Sequence, residues 1–284
     1  MVLLDGKAFA EKIQIQLKSD VALFVQRAGV VPGLAAVRVG VNEASRIYVN
    51  KKAKTCKELG MHSEKIELPE DISESKLIDE IEKLNRNPKI HGILVQLPLP
   101  KHISTPKIQN SVRVEKDVDG FNVVNVGRLA MGESGFVPCT PLGVLRILEE
   151  YRIPIEGAEA VIVGRSQIVG KPMAQLLLGR HATVTICHSK TRNLPEVCRK
   201  ADILVAATGK AEMIRGDWIQ KGATVVDVGI NRKEDGTLVG DVDFAGAKER
   251  AGWITPVPGG VGPLTIAMLL SNTVEAAKQQ VEFK

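Results

Sequence analysis

The stretch that most constrains the fold is AVIV (160–163), followed at once by GRSQIVGKP (164–172). Four apolar residues closed by a glycine are too short for a buried helix. They read as a strand covered on both faces, the kind found in parallel sheets. Parallel strands need crossover connections, and the next segment, about 170–179, has the composition of a helix. The alternation continues with strands at 182–187, 202–206 and 223–228 and helices near 193–200 and 216–220. This half of the chain is thereby committed to an α/β architecture.

The first half repeats the rhythm. Phe9, Ile13, Leu17, Val21 and Phe24 form one apolar stripe of a helix over 6–28. LAAVRV (34–39) reads as a strand, and a second helix runs from about 43 to 59 and stops at Gly60. SEKIEL (63–68) alternates as a strand, and 73–85 places Leu77, Ile81 and Leu84 on one helical face. HGILVQLPLP (91–100) begins as a buried strand and ends in a proline-fixed loop. Residues from about 110 to 140 show no clear period and read as irregular. Thr140 is then expected to cap a helix with Pro141 at its first position. After WITPVPGGVGP a last helix spans about 263–280, with Pro263 at its start. The expected fold is two α/β domains, residues 1–140 and 141–262. The second is Rossmann-type, and a C-terminal helix (263–284) returns to the first.

The bulk numbers exclude several classes. At 284 residues, with 44% hydrophobic and 25% charged, the chain can build a sizeable core. No segment approaches the ~18 apolar residues of a membrane span. MVLLDGKAF offers no secretory apolar region, so cytoplasmic residence is expected. Cys56, Cys139, Cys187 and Cys198 make no C-x-x-C pair, which argues against a metal site and a disulfide framework. Net charge is +5, but basic and acidic residues are interleaved and aromatics are only 4%, which disfavours nucleic acid. A mild positive field suits small anionic ligands.

The loop after the 159–163 strand carries the first functional signal. A helix N-terminus offers unpaired N–H groups and a positive dipole end to a phosphate. Gly164 permits the tight turn, and Gly170 permits close packing of helix on strand. Ser166 stands where a second glycine of G-x-G-x-x-G is expected and offers a hydroxyl donor. Alone, the loop could equally be a plain strand-to-helix turn. The next strand ends in TICHSKT (185–191), without the acid that would hold an NAD ribose. Ser189, Lys190 and Thr191 there, with Arg165 of the first loop, suit a 2′-phosphate, so the expected cofactor is NADP.

The first half carries the second signal. Tyr48 and Lys52 are four residues apart, on one face of the second helix. The ring offers a flat surface to an aromatic ligand, and the amine can move a proton. Spacing does not exclude Lys51, and the same pattern would serve a solvated basic face. Gln96 falls at the C-terminal end of a buried strand, where open α/β sheets bind ligands. Asp117 and Asp119 share KDVDGFN, where two carboxylates are too few for a metal. One could hold a heterocycle's amine and ring N–H, or both could be turn chemistry before Gly120. PVPGGVGP (256–263) is rigid and nearly bare of side chains, fit to lie against a ligand.

In order along nearly the whole chain, YVNKKAKTC, GILVQLPLP, EKDVDGFN, PCTPLG, VGRSQIVGKP, CHSKT, DILVAATG, DVGIN, GDVDF and ITPVPGGVGP resemble the methylenetetrahydrofolate dehydrogenase/cyclohydrolase family. The resemblance implies two reactions on one folate: NADP-dependent oxidation of 5,10-methylenetetrahydrofolate, then hydrolysis to 10-formyltetrahydrofolate. It implies that Tyr48 stacks on the folate, that Lys52 rather than Lys51 is catalytic, that Gln96 holds that lysine and that Asp119 anchors the pterin. It extends the substrate contacts to Val95, Leu97, Pro258, Gly259, Gly260, Val261 and Gly262. The implied cofactor contacts are Gly164, Arg165, Ser166, Ile168, Ser189, Thr191 and Ile230. No metal is implied, and the assembly implied is a homodimer. Two rivals remain for comparison: another Rossmann-type oxidoreductase, and a non-catalytic folate or nucleotide binder.

Overall fold

The computed structural model describes residues 1–282. β1 (Val2–Leu3) and α1 (Gly6–Ala28) open the chain. β2 (Gly33–Val39), α2 (Glu43–Glu58), β3 (His62–Leu68), α3 (Glu74–Arg86) and β4 (Gly92–Val95) then alternate. α4 (Thr105–Ser111), a 3-10 turn (Val114–Lys116), α5 (Val123–Met131) and α6 (Cys139–Glu150) follow. The second alternation is β5 (Glu159–Val163), α7 (Gly170–Leu178), β6 (Thr183–Cys187), α8 (Leu194–Cys198), β7 (Ile203–Ala206), a 3-10 turn (Gly216–Trp218) and β8 (Thr224–Asp227). A two-stranded hairpin, β9 (Asn231–Arg232) and β10 (Leu238–Val239), leads through α9 (Phe244–Ala247) and β11 (Trp253–Ile254) to α10 (Val261–Glu282). No described helix is long and apolar enough to cross a membrane.

The chain forms two compact units. One contains Lys12–Val137 and the chain from Leu269 onward, and the other Met1–Glu11 and Pro138–Met268. The former is built on a parallel sheet of order β3-β2-β4. Every residue of β2 is buried, because helices cover both of its faces. Ala35, Val37 and Val39 of that strand pack against Leu77, Ile81 and Leu84 of α3. The C-terminal helix returns to this unit as expected. Asn272 donates its amide to the carbonyls of Val118 and Val137, and Gln280 to those of His91 and Glu115.

The other unit holds a six-stranded, all-parallel sheet of order β1-β11-β8-β7-β5-β6. β5 lies between β6 and β7, so the chain steps to one side of β5 and then crosses to the other. Such a switch point leaves a crevice outside the carboxyl ends of the strands, where dinucleotides bind in Rossmann-type sheets. Val161, Val163, Leu204, Ala206 and Val225 form the centre of its core.

Several local expectations need correction. The 110–140 stretch is not irregular: it holds α5 and the end of α4. Its order comes from side chains bonding backbone rather than from an apolar period. The Asn122 side chain accepts the N–H of Val124, Asn110 accepts that of Val123, and left-handed Gly132 ends α5. Thr140 does not cap α6. The helix starts at Cys139 after Pro138, Pro141 falls in its first turn, and the Thr140 hydroxyl meets that of Thr265 at 2.9 Å. α10 begins at Val261, two residues before Pro263. The 216–220 helix is a single 3-10 turn. β1 and β11, two residues each, are too short to show a period. β1 is held at the sheet edge by N–H bonds from Val2 to Gly252 (2.7 Å) and Leu4 to Ile254 (2.9 Å).

Candidate active site

In the unit built on β2, the first turn of α2 is closed by Asn42, whose side chain accepts the N–H of Ser45 at 2.9 Å. One and two turns further lie Tyr48, half-buried, and Lys52, only 7% exposed. Lys51 and Lys54 are exposed. Burial thus separates lysines that spacing left equivalent. The Lys52 ammonium donates to Gln96 Oε1 at 3.1 Å. Gln96 is itself fixed twice. Its backbone N–H extends the β2–β4 ladder to Val37 at 2.8 Å, and its Nε2 donates to the Leu97 carbonyl at 2.8 Å. Val95 and Leu97 flank it, half-buried. Burial pushes the Tyr48 phenol above its usual range, so the ring is a neutral surface at pH 7.

The KDVDG loop divides its two acids. Asp117 is 4% exposed, and its carboxylate accepts the N–H groups of Phe121 (3.2 Å) and Asn122 (2.8 Å) and the Asn125 amide (2.8 Å). Burial pushes this carboxyl up to about 7, against the pull of those donors. Asp117 is therefore the turn-former. Asp119, two residues on, is half-buried on a loop pinned from both sides. Buried Lys116 donates to the carbonyls of Leu84 and Asn87 at the C-terminal end of α3, and Asn272 of α10 holds Val118.

In the other unit, the chain leaves β5 through Gly164 with φ at +140°. A Cβ there would fall against the Ala207 carbonyl, and one at Gly170 against the Gly164 carbonyl. Both positions therefore require glycine, as expected of a strand-to-helix turn packed this tightly. Ser166, expected to offer a hydroxyl donor, is exposed and also serves the loop itself. Its hydroxyl oxygen accepts the N–H groups of Val169 (3.1 Å) and Gly170 (3.3 Å), closing the loop beneath α7. Arg165 and Ile168 are exposed on this loop, and Ser189 and Lys190 on the loop after β6. Thr191 is turned inward, its hydroxyl oxygen accepting the His188 N–H at 2.8 Å.

Pro258 is exposed, Gly259 has φ +108°, and Gly260 and Val261 are buried at the head of α10. The Gly259 carbonyl accepts the Lys7 N–H at 2.8 Å. Exposed Ile230 adjoins this segment, its Cδ1 3.6 Å from where a Gly262 side chain would begin. Reading the sequence attached no chemistry to Asp227 or Asp241. Both prove to be buried acids beside these loops, and the only sequence signal was their place in DVGIN and GDVDF.

The arrangement fits a dinucleotide. The nine-residue helix α7 presents its N-terminus at the switch point, with one arginine, two hydroxyls and a lysine nearby and no carboxylate in 188–191.

Known proteins give the same picture. Residues 4–119 match the model of the tetrahydrofolate dehydrogenase/cyclohydrolase catalytic domain, and residues 138–281 that of its NAD(P)-binding domain. The bifunctional protein FolD of Nitrosospira multiformis is 57% identical over 277 residues, covering 98% of this chain and 96% of that protein. The crystal structure of the FolD dehydrogenase/cyclohydrolase from Campylobacter jejuni superimposes with TM-score 0.96 at 50% identity, covering 99% of each chain. The Trypanosoma brucei enzyme, solved with NADP cofactor and an inhibitor, gives TM-score 0.95 at 40% identity, over 99% of this chain and 98% of that one. The chain belongs to the tetrahydrofolate dehydrogenase/cyclohydrolase family.

Proposed function

We propose that this protein is a bifunctional one-carbon enzyme. It oxidises 5,10-methylenetetrahydrofolate to 5,10-methenyltetrahydrofolate with NADP and then hydrolyses the product to 10-formyltetrahydrofolate. The observation that carries this reading is the buried Lys52–Gln96 pair at the carboxyl end of a parallel sheet, one turn from a half-buried tyrosine. An isolated buried ammonium is costly, and a single amide acceptor is a thin environment for it. Such a lysine suits a group that handles a proton.

The residues divide the work by chemistry. Tyr48 offers its face to the folate's aromatic system. Asp119 accepts the amine and ring N–H of the pterin. Val95 and Leu97 give the substrate apolar walls, and Pro258 to Gly262 are assigned as substrate contacts within their own unit. Gly164, Arg165, Ser166, Ile168, Ser189, Thr191 and Ile230 hold the cofactor, with Arg165 and Ser189 on the 2′-phosphate. Bound NADP supplies the hydride acceptor. Oxidation then needs placement more than acid–base help. Hydrolysis differs: water adds to the methenyl carbon, one C–N bond opens, and protons must leave the water and reach the departing nitrogen. Lys52 moves those protons, and Gln96 sets its position.

We assign folate binding to the unit of Lys12–Val137 with the chain from Leu269, and NADP binding to the unit of Pro138–Met268; residues 1–11, expected with the folate domain, join the latter because β1 pairs with β11. The four free, buried cysteines suit a reducing cytoplasm. A homodimer is the assembly we assign. β6 is an edge strand with Ile186 exposed, which favours pairing with a second copy. Light scattering should read twice the chain mass of 30.7 kDa. The functional test is spectrophotometric, with methylenetetrahydrofolate offered NADP or NAD and methenyl hydrolysis followed separately. Absence of NADP-dependent oxidation by the purified protein refutes the assignment. A rival amino- or hydroxy-acid dehydrogenase would also give no folate turnover.

A further inference from the structure

Two buried acids lie at the carboxyl edge of the six-stranded sheet. Asp227 ends β8 and is 4% exposed; Asp241 follows β10 and is fully buried. Among the described residues no ion pair reaches either one. Their partners are N–H groups alone, and those groups belong to three different loops.

Asp241 Oδ2 accepts the N–H groups of Thr208 (2.5 Å) and Gly209 (2.9 Å), in the loop after β7. That loop also supplies the Ala207 carbonyl against which Gly164 is packed. Asp241 Oδ1 accepts the amide of Asn231 at 2.9 Å, next to Ile230. Asp227 in turn holds Asp241 in place. Its Oδ1 accepts the N–H groups of Asp241 and Gly229, and its Oδ2 that of Val242, each at 2.9 Å. Each carboxyl group thus collects three donors without an ion-pair partner among the described residues, and the neighbouring Asp241 adds to the cost of ionising Asp227. Plain burial would be served better by an apolar residue. A carboxylate here gains one thing an apolar residue lacks, which is the ability to gather divergent N–H groups at a single point.

We propose that Asp241 is a positioning residue of the cofactor site, a clamp that fixes the loop after β7 to the segment carrying Ile230, with Asp227 as its support. The inference rests on the reading that NADP lies at the carboxyl edge of this sheet. A loop already fixed has less freedom to lose when ligand binds, so the clamp acts on cofactor affinity. It touches neither Lys52 nor Gln96. It should therefore leave hydrolysis, which needs no cofactor, to run as before.

The test uses the full-length enzyme and both of its reactions. Asp241→Asn keeps the shape and removes acceptor capacity from one oxygen. NADPH affinity by fluorescence titration and the KM for NADP should both worsen about tenfold, the loss expected for one hydrogen bond to a charged group. The kcat of oxidation should move less than KM, and methenyl hydrolysis should stay within about twofold of wild type. Affinity for NAD should fall by the same factor, because the clamp makes no distinction at the 2′-phosphate. Asn231→Ala, which cuts only the tie to the Ile230 segment, should cost about threefold in the same direction, and it decides alone if Asp241→Asn does not fold. The proposal is overturned if cofactor affinity stays within about twofold of wild type, or if hydrolysis falls in parallel with oxidation. A wild-type protein lacking NADP-dependent oxidation would instead refute the functional reading beneath it.

Discussion

Gln96→Ala gives the sharpest reading of how hydrolysis is organised. The native pair is a single charge-assisted hydrogen bond, Lys52 Nζ to Gln96 Oε1 at 3.1 Å, made by an ammonium only 7% exposed. A bond of this type contributes about 1.5–3 kcal/mol. At about 1.4 kcal/mol per factor of ten, its loss should lower kcat/KM for methenyl hydrolysis by roughly 10- to 150-fold. Lys52→Met, which removes the proposed proton carrier itself, should cost about 10²- to 10⁴-fold. The two effects should not add. If Gln96 acts through Lys52, placing Gln96→Ala in the Lys52→Met background changes the remaining rate hardly at all. The assay follows loss of methenyl absorbance above the spontaneous rate for wild type, both single variants and the double, with thermal melts to confirm folding. Folded Gln96→Ala enzyme within twofold of wild type would refute the reasoning. So would a double variant whose loss equals the product of the two single losses.

Two further expectations come from the other groups described. Arg165→Ala should weaken NADP about tenfold while NAD changes little, because an exposed arginine in the proposed contact with the 2′-phosphate sees only the phosphorylated cofactor; equal losses in titrations of both cofactors would remove that contact. For Asp117, burial raises the folded carboxyl to about 7 from 3.8, so the folded state holds a proton that the unfolded chain has released. The stability tied to that proton is complete below about pH 4 and is lost as pH rises through 7, with a slope of up to about 1.4 kcal/mol per pH unit. Asp227, raised to about 6, acts in the same direction at lower pH. Denaturant titrations at pH 6 and 7 should therefore show a decline in wild type that Asp117→Asn flattens, and an unchanged decline in the variant contradicts this account.

The regular parts of the fold were legible because burial imposes a period. The stripe from Phe9 to Phe24 and the unbroken runs of β2 and β5 admit one reading each. What escaped was built without a period. α5 is rich in β-branched residues, leaves Val123, Val124 and Val126 exposed, and stands because asparagine side chains close its first turn. At the site, residue type and spacing named Tyr48, Gln96 and the acids of KDVDG. They left Lys51 and Lys52 equivalent, since adjacent residues differ only in which side of a helix meets the sheet. Ser166 was read as a hydroxyl donor; that its oxygen also accepts two N–H groups three and four residues on was not legible. Asp241 was invisible because its partners at 208, 209 and 231 are distant in sequence.

Neither compact unit is continuous in sequence, and this bears on how the protein is made. The unit carrying Lys52 begins at residue 12 but is finished only by the chain after residue 268. While a ribosome is still threading out the Rossmann sheet, the carbonyls of His91, Glu115, Val118 and Val137 wait for Asn272 and Gln280. Domains usually mature from the N-terminus onward during synthesis. Here the unit whose body is made first is the last completed. A nonsense codon near residue 268 would leave the six-stranded sheet encoded in full and yet cripple the unit at the other end of the message.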